Sequence, residues 1–336
     1  MRVVVAPGTV VDMTEANAAV KPAAALAASA GAQFAAETAP SGAFVRQANR
    51  FTDRITRGPG ARRPAEPGRY RLVVSLACPW AHRQVIVRRL LGLEEVISLA
   101  VVDPLRDERG WRFTLDEAGR DPVLGIAFLS EAYLRTDPEY RGRVTVPCVV
   151  DTTTGQVVSN DYPQISLDLS TEWVEYQAPD APSLLPADPG GRAEMDEVMA
   201  QVYQDVNNGV YRCGFATTQA AYEQAYEVLF ARLDALSRRL ETRRYLMGET
   251  ITEADVRLFT TLVRFDAAYH GHFKCNRNKL TELPVLWRYA RDLFAQPGFG
   301  DTTDFDHIKR HYYLTHPAIN PTLIVPAGPD LSVWYT

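Results

Sequence analysis

The stretch SLACPWAHR, residues 75–83, ends an apolar run on Cys78 and follows it at once with a proline. A thiol between a strand and a helix faces the helix's unpaired N–H groups and its positive end, which favours the thiolate. A free thiol of pKa about 8.5 is only a few per cent ionised at neutral pH, whereas a helix N-terminus brings the value to about 7 or lower. Lowering it by two pH units corresponds to about 2.7 kcal/mol, more than the roughly 0.3 to 1 kcal/mol of an exposed dipole, so further donors are required. The plainer alternative is a small hydrophobe closing a buried strand. The proline and the apolar helix after Cys78 favour a low-pKa functional thiol. Three positions on stands Ala81, not a second cysteine, so an oxidised Cys78 has no resolving partner there and needs an external thiol for release.

Three further segments carry candidate chemistry. In TVPCVV, residues 145–150, Pro147 begins a strand; a cis bond there leaves the peptide groups of Val146 available to a peptide-like ligand. Asp161 begins a short helix, where a carboxylate either caps the helix or binds a ligand ammonium. Tyr211 and Tyr269 sit in NNGVYRCGFA and FDAAYHGHFKCN, polar and glycine-rich settings where a phenol serves as a packing residue or as an acid. His270 and His272 near Cys275 lack the additional ligands that a zinc site requires.

These residues need a scaffold. RYRLVVSLA, residues 69–77, reads as a buried strand, PWAHRQVIVRRLLGL as a helix and EVISLAVVD as a second strand, which together make a βαβ unit. Residues 104–143 are irregular and charged, too long for an ordinary connection, and read as an insertion. VTVPCVVDTTTGQVVSN then gives two strands around a polar turn at Gly155, and DYPQISLDL a short helix. After the Pro- and Gly-rich linker 178–191 the pattern turns helical. Leu229, Leu233, Leu236 and Leu240 form one apolar face, and TEAD, residues 252–255, fits a capping box. The fold class expected is α/β plus all-α: an arm over 1–66, a thioredoxin-like βαβ–ββα domain over 67–175 with an insertion at 104–143, a helical domain over 190–315 and a tail over 316–336.

At 336 residues the chain can bury a large core, and its net charge of −5 gives no reason to expect a nucleic-acid partner. Four cysteines without metal or disulfide spacing point to a reducing cytoplasm. The Ala-rich run 21–36 starts late and lacks large apolar residues, so it reads as an arm and not as a signal, and no stretch is long enough to span a membrane. Only four of the 36 basic residues are lysine. That bias reads as codon composition, not as a functional arginine surface.

Taken together, FVRQANRFTDRI, CPWAHR, the RGW that ends on Trp111, RVTVP, VSND, NNGVYRCGFATTQAAYE, RFDAAYHGHFKCN and HIKRHYYLTHPAINPTLIVPAGP resemble the glutathionyl-hydroquinone reductases, the xi class of glutathione transferases, over about residues 43–328. The resemblance implies the glutathione transferase fold, a homodimer, no metal, and glutathione as co-substrate for an aromatic thioether. It implies that Cys78 is the nucleophile, that Trp111 covers the glutathione, and that Arg143, Val144, Thr145 and Val146 contact its backbone. Tyr211 would be the proton donor, while Tyr269 and Tyr312 would hydrogen-bond the sulfur and lower its pKa.

The chain departs from the family where Glu-Ser usually holds the γ-glutamyl group, because it has Asp161 and Tyr162. That departure admits another low-molecular-weight thiol, such as mycothiol, or a specialised biosynthetic substrate. A non-catalytic binding module of the same fold is the remaining alternative, and joint retention of Cys78, Tyr211, Tyr269 and Tyr312 argues against it.

Overall fold

The computed structural model describes residues 37–336; the Ala-rich run 21–36 and the rest of the arm before residue 37 lie outside the described residues. Strand β1 (Tyr70–Val74) is buried along its whole length. Helix α1 (Pro79–Leu90) follows with Pro79 in its first turn, where the missing N–H costs nothing. At its far end Gly92 has φ +67°, and a Cβ there would stand 2.6 Å from the Ala178 side chain, so only glycine fits. Strand β2 (Ser98–Val101) pairs parallel with β1 and completes the βαβ unit.

The stretch read as an insertion carries a helix of its own, α2 (Leu129–Thr136). It is tied to the sheet where the Thr136 hydroxyl accepts from the Val157 N–H at 2.7 Å. Strands β3 (Cys148–Asp151) and β4 (Gln156–Ser159) are antiparallel, and β3 runs antiparallel to β1, giving the order β2-β1-β3-β4. Helix α3 (Tyr162–Thr171) closes this layer. The result is the thioredoxin-like arrangement that the strand and helix pattern predicts.

The second layer is helical: α4 (Pro189–Gln201), α5 (Gly209–Gly214), α6 (Gln219–Leu240), α7 (Glu253–Arg264), α8 (Pro284–Phe294) and α9 (Phe305–Leu314). The four leucines of the predicted apolar face of α6 are all buried. At the start of α7 the Asp255 carboxylate accepts from the Thr252 N–H and hydroxyl, the Leu246 N–H and the Tyr289 hydroxyl, so the predicted capping box is also a buried four-donor knot. Two π-helical segments, Val202–Asn207 and Phe265–Tyr269, widen the chain beside α5 and after α7. Such segments recur at functional sites because they turn side chains out of the regular helical rows.

Helix α1 lies between the layers, and ten of its residues are buried, polar ones included. Gln84 and Arg88 donate to carbonyls of the first layer, those of Tyr162 and Ile97, while the partners of His82 and Arg83 come from the helical layer. Arg83 donates to Asn207 at 2.6 Å, and His82 meets Arg264 at 3.0 Å on one nitrogen and Thr302 at 2.9 Å on the other. Arg264 also donates to the carbonyls of Leu76, Ala77 and Thr260, fixing the loop that delivers Cys78. Among the described residues no helix is long and apolar enough to cross a membrane.

Candidate active site

Cys78 occupies the N-cap position of α1 in extended conformation, as the strand-proline-helix pattern predicts. Its thiol donates to the Val146 carbonyl at 3.4 Å, and the Val146–Pro147 bond is cis. The thiol pKa is raised, in contrast to the predicted fall. Desolvation in the cleft is the largest influence, opposed by the Ala81 N–H, the Arg264 charge, the Trp80 N–H and the Arg46 charge. The helix end does supply donors to the sulfur, but burial outweighs them.

The three tyrosines come together as a chain of hydroxyls. Tyr211 meets Tyr312 at 2.6 Å, and Tyr312 meets Tyr269 at 2.8 Å. Their hydrogen bonds run to one another and not to the Cys78 sulfur, so the expected sulfur donors form a relay instead. All three phenols are held above their ordinary pKa, with burial the leading cause. For Tyr211 the next cause is the neighbouring Cys78, while Arg46 and the other two hydroxyls pull the value down.

Cys78, Tyr211 and Tyr312 line one cleft between the sheet layer and the helices, together with Trp111, Arg143, Thr145, Val146 and Tyr162. Tyr269 stands fully buried behind Tyr312. Trp111 stacks on His311 at 5.2 Å between ring centres, and its indole N–H is buried without a hydrogen-bond partner among the described residues. Arg143 pairs with Glu37 at 2.8 Å, and its main chain is held by Gln47 on both sides. Thr145 receives Asn160, and its carbonyl accepts the Tyr133 hydroxyl. Val144 packs beside Gly110.

At the departure from the family pattern, Asp161 makes no capping bond and accepts from Asn49 at 3.0 Å. Tyr162 packs its ring on Trp80 at 4.7 Å and meets the Tyr203 hydroxyl at 3.0 Å. A bulky phenol thus fills the mouth of α3, with its pKa raised mainly by burial.

Sequence reasoning missed several cleft residues. Arg46, Gln47 and Asn49 arrive on the arm, Arg106 from the insertion and His311 and His316 from the C-terminal end. His311 is pushed down to about 3 by burial first and Arg106 second, and His316 lies well below its ordinary value for the same leading reason. Both imidazoles are therefore neutral. The arm motif FVRQANRF was visible as part of the resemblance, but nothing local to it signals a place in the cleft of a thiol some thirty residues away.

Comparison with known proteins follows the same lines. The glutathione S-transferase C-terminal domain family matches residues 219–292. The glutathionyl-hydroquinone reductase PcpF of Sphingobium chlorophenolicum is 44% identical over 292 residues, covering 86% of this chain and 90% of the relative. The crystal structure of a glutathione transferase from Gordonia bronchialis shares 60% identity with a TM-score of 0.83, covering 85% of this chain and 88% of that one. The glutathione-bound structure of YqjG, a glutathione transferase homologue from Escherichia coli, superposes with a TM-score of 0.77 at 42% identity, covering 83% and 92%.

Proposed function

The chain belongs to the xi class of glutathione transferases, the family of the glutathionyl-hydroquinone reductases, and from that premise we propose that it strips the thiol from a glutathionyl-hydroquinone through a mixed disulfide on Cys78. The observation that carries this reading is the shared cleft: the thiol and the outer hydroxyl of the tyrosine chain line the same space.

In the first half-reaction the Cys78 thiolate attacks the thioether sulfur. An S–S bond forms, the S–C bond breaks, and the electron pair left on the ring carbon takes the Tyr211 proton. The hydroxyls of Tyr312 and Tyr269 support the resulting phenolate by donating along the chain. In the second half-reaction another thiol attacks the mixed disulfide, leaves as a symmetrical disulfide and returns its proton to Tyr211. Trp111 and the 143–146 segment would flank the thiol, with Asp161 and Tyr162 at its far end. A reducing cytoplasm and a homodimer belong to the same reading; sedimentation of the purified chain tests the dimer. Trapping the first half-reaction tests the chemistry. Intact mass after a single turnover should show the thiol adduct on the parent and none on Cys78→Ala, and an adduct-free parent that still turns over would sink the mechanism.

A second reading concerns the thiol. The Tyr162 ring on Trp80 and the Asp161 carboxylate bound to Asn49 occupy the groups that would otherwise receive a γ-glutamyl end. This favours a different low-molecular-weight thiol, such as mycothiol, with the cysteine chemistry unchanged and an aromatic thioether or specialised biosynthetic compound as substrate. Release of the oxidised enzyme should be faster with that thiol, followed by mass spectrometry. Equal or faster release by glutathione rejects it.

A further inference from the structure

The mixed-disulfide reading moves a negative charge. It starts on the Cys78 sulfur and, once Tyr211 has given its proton to the ring carbon, it resides on the Tyr211 oxygen. In a desolvated cleft such a transfer is slow unless fixed positive charge already faces both ends. A cation beside only one end would trap the charge there.

Arg46 meets that requirement. The arm lays its guanidinium over three rings, with the Cζ atom 4.6 Å from the centre of Trp80, 4.7 Å from Tyr211 and 5.2 Å from Phe44. Trp80 is two residues from Cys78, which shares the cleft with Arg46 and feels its charge, so the group lies over the Tyr211 ring and acts on the sulfur through the field. Its Nε donates to Asn208 at 3.0 Å, and Asn208 is three residues before Tyr211. Its Nη2 is buried with no hydrogen-bond partner among the described residues, and the side chain lines the cleft. The neighbouring arm residues Gln47 and Asn49 are pinned to Arg143 and Asp161, which fixes the backbone that carries it. A guanidinium is charged at neutral pH and stacks flat on aromatic faces.

We propose that Arg46 is a positioning residue for the reaction, the fixed cation under which negative charge passes from Cys78 to Tyr211. This rests on the cysteine and tyrosine roles given above. Of the other charged groups facing the cleft among the described residues, Arg106 is the one that also acts on both Cys78 and Tyr211. Arg264 of α7 acts on Cys78 but is committed to three backbone carbonyls. Arg106 acts on both ends from over Trp111, at 5.3 Å. With its pKa brought down to about 9 by burial and Arg143 it is still cationic at neutral pH, so it adds to Arg46, and the Arg46 variants read the share that Arg46 supplies. Arg143 is paired with Glu37, Tyr162 from α3 is a protonated phenol, and His311 and His316 are neutral.

The test compares Arg46→Gln and Arg46→Lys with the parent by the pH dependence of Cys78 alkylation by iodoacetamide, by kcat and KM, and by thermal melting. In Arg46→Gln the thiol titration is expected to rise by about one pH unit. Its kcat should fall about 100-fold with KM for the thiol nearly unchanged. Arg46→Lys keeps the charge but loses the flat stack, so its titration stays within a few tenths of the parent while kcat recovers only in part. A titration unmoved in Arg46→Gln, or moved equally in both variants, overturns the proposal. If Arg46→Gln does not fold, Arg46→Lys carries the test: a titration that rises although the charge is retained overturns it. The alkylation readout needs no turnover, so it separates failure of this inference from failure of the mechanism, which active Cys78→Ala enzyme would reveal.

Discussion

The cleft joins two halves built on different principles. Cys78 is held by main chain: its thiol meets the Val146 carbonyl, and the N–H groups of Trp80 and Ala81 face its sulfur. The tyrosines are held by one another, as side chains from α5, α9 and the π-helical segment Phe265–Tyr269. A main-chain site tolerates changes in surrounding side chains, since its donors survive most substitutions. A side-chain relay loses a link with every residue removed.

The largest expected effect comes from Cys78, the proposed nucleophile. Cys78→Ala should lower kcat by about 10⁴-fold or more while the melting profile holds, because no neighbouring group replaces a thiolate. In the other half Tyr211→Phe should cost about 10²- to 10³-fold in kcat, with mixed-disulfide formation slowed more than thiol release in stopped-flow measurements. Tyr269→Phe, at the buried end of the chain, should cost only about tenfold. If it equals Tyr211→Phe, the hydroxyls act as one unit and the picture of an outer donor with inner supports breaks.

The pH dependence sharpens the same contrast. Because burial raises the Cys78 pKa, the thiolate is the minor form at neutral pH and grows with pH. The alkylation rate of the free enzyme should therefore climb about tenfold per pH unit from pH 7 to 8.5. A plateau below pH 8 would show that the helix end outweighs desolvation after all.

The last effect concerns stability and not turnover. Buried His272, which meets His316 at 3.1 Å, is pushed down to about 4, chiefly by burial. Below the ordinary histidine value of about 6.5 the unfolded chain takes up a proton that the folded chain refuses. Stability contributed by this group is thus complete above about pH 6.5 and is lost as pH falls toward 4, on the order of 3 kcal/mol. Urea unfolding across that window should show the slope, and His272→Gln should reduce it by the His272 share, leaving the part that the likewise depressed His82, His311 and His316 contribute.

How much of this was legible along the chain follows from the same division. Cys78 with Pro79, Val146 with Pro147 and the capping box at Thr252 and Asp255 each depend on contacts within a few residues or on a standard strand pairing, and the pattern of residue types exposes them. The resemblance to the xi class named the tyrosines and paired Tyr269 and Tyr312 with the sulfur, whereas their hydroxyls meet each other and Tyr211, since hydroxyl geometry depends on how three distant segments meet. The direction of the Cys78 pKa was misjudged for a related reason: a helix dipole can be read locally, whereas the depth of water exclusion cannot. Arg46, Arg106 and the neutral histidines were missed because nothing in their own neighbourhoods marks them.

The sequence by itself determined the βαβ–ββα order, the placement of a thiol at a helix start and the membership of a family, because strand, helix and turn preferences act over short distances and a long motif string is hard to reach by chance. Only the tertiary structure decided which charges face the thiol, which hydroxyls touch and how dry the cleft is. Those are sums over groups brought together from the arm, the insertion and the last helix, and an electrostatic sum of that kind is set by distances in space and not by spacing along the chain.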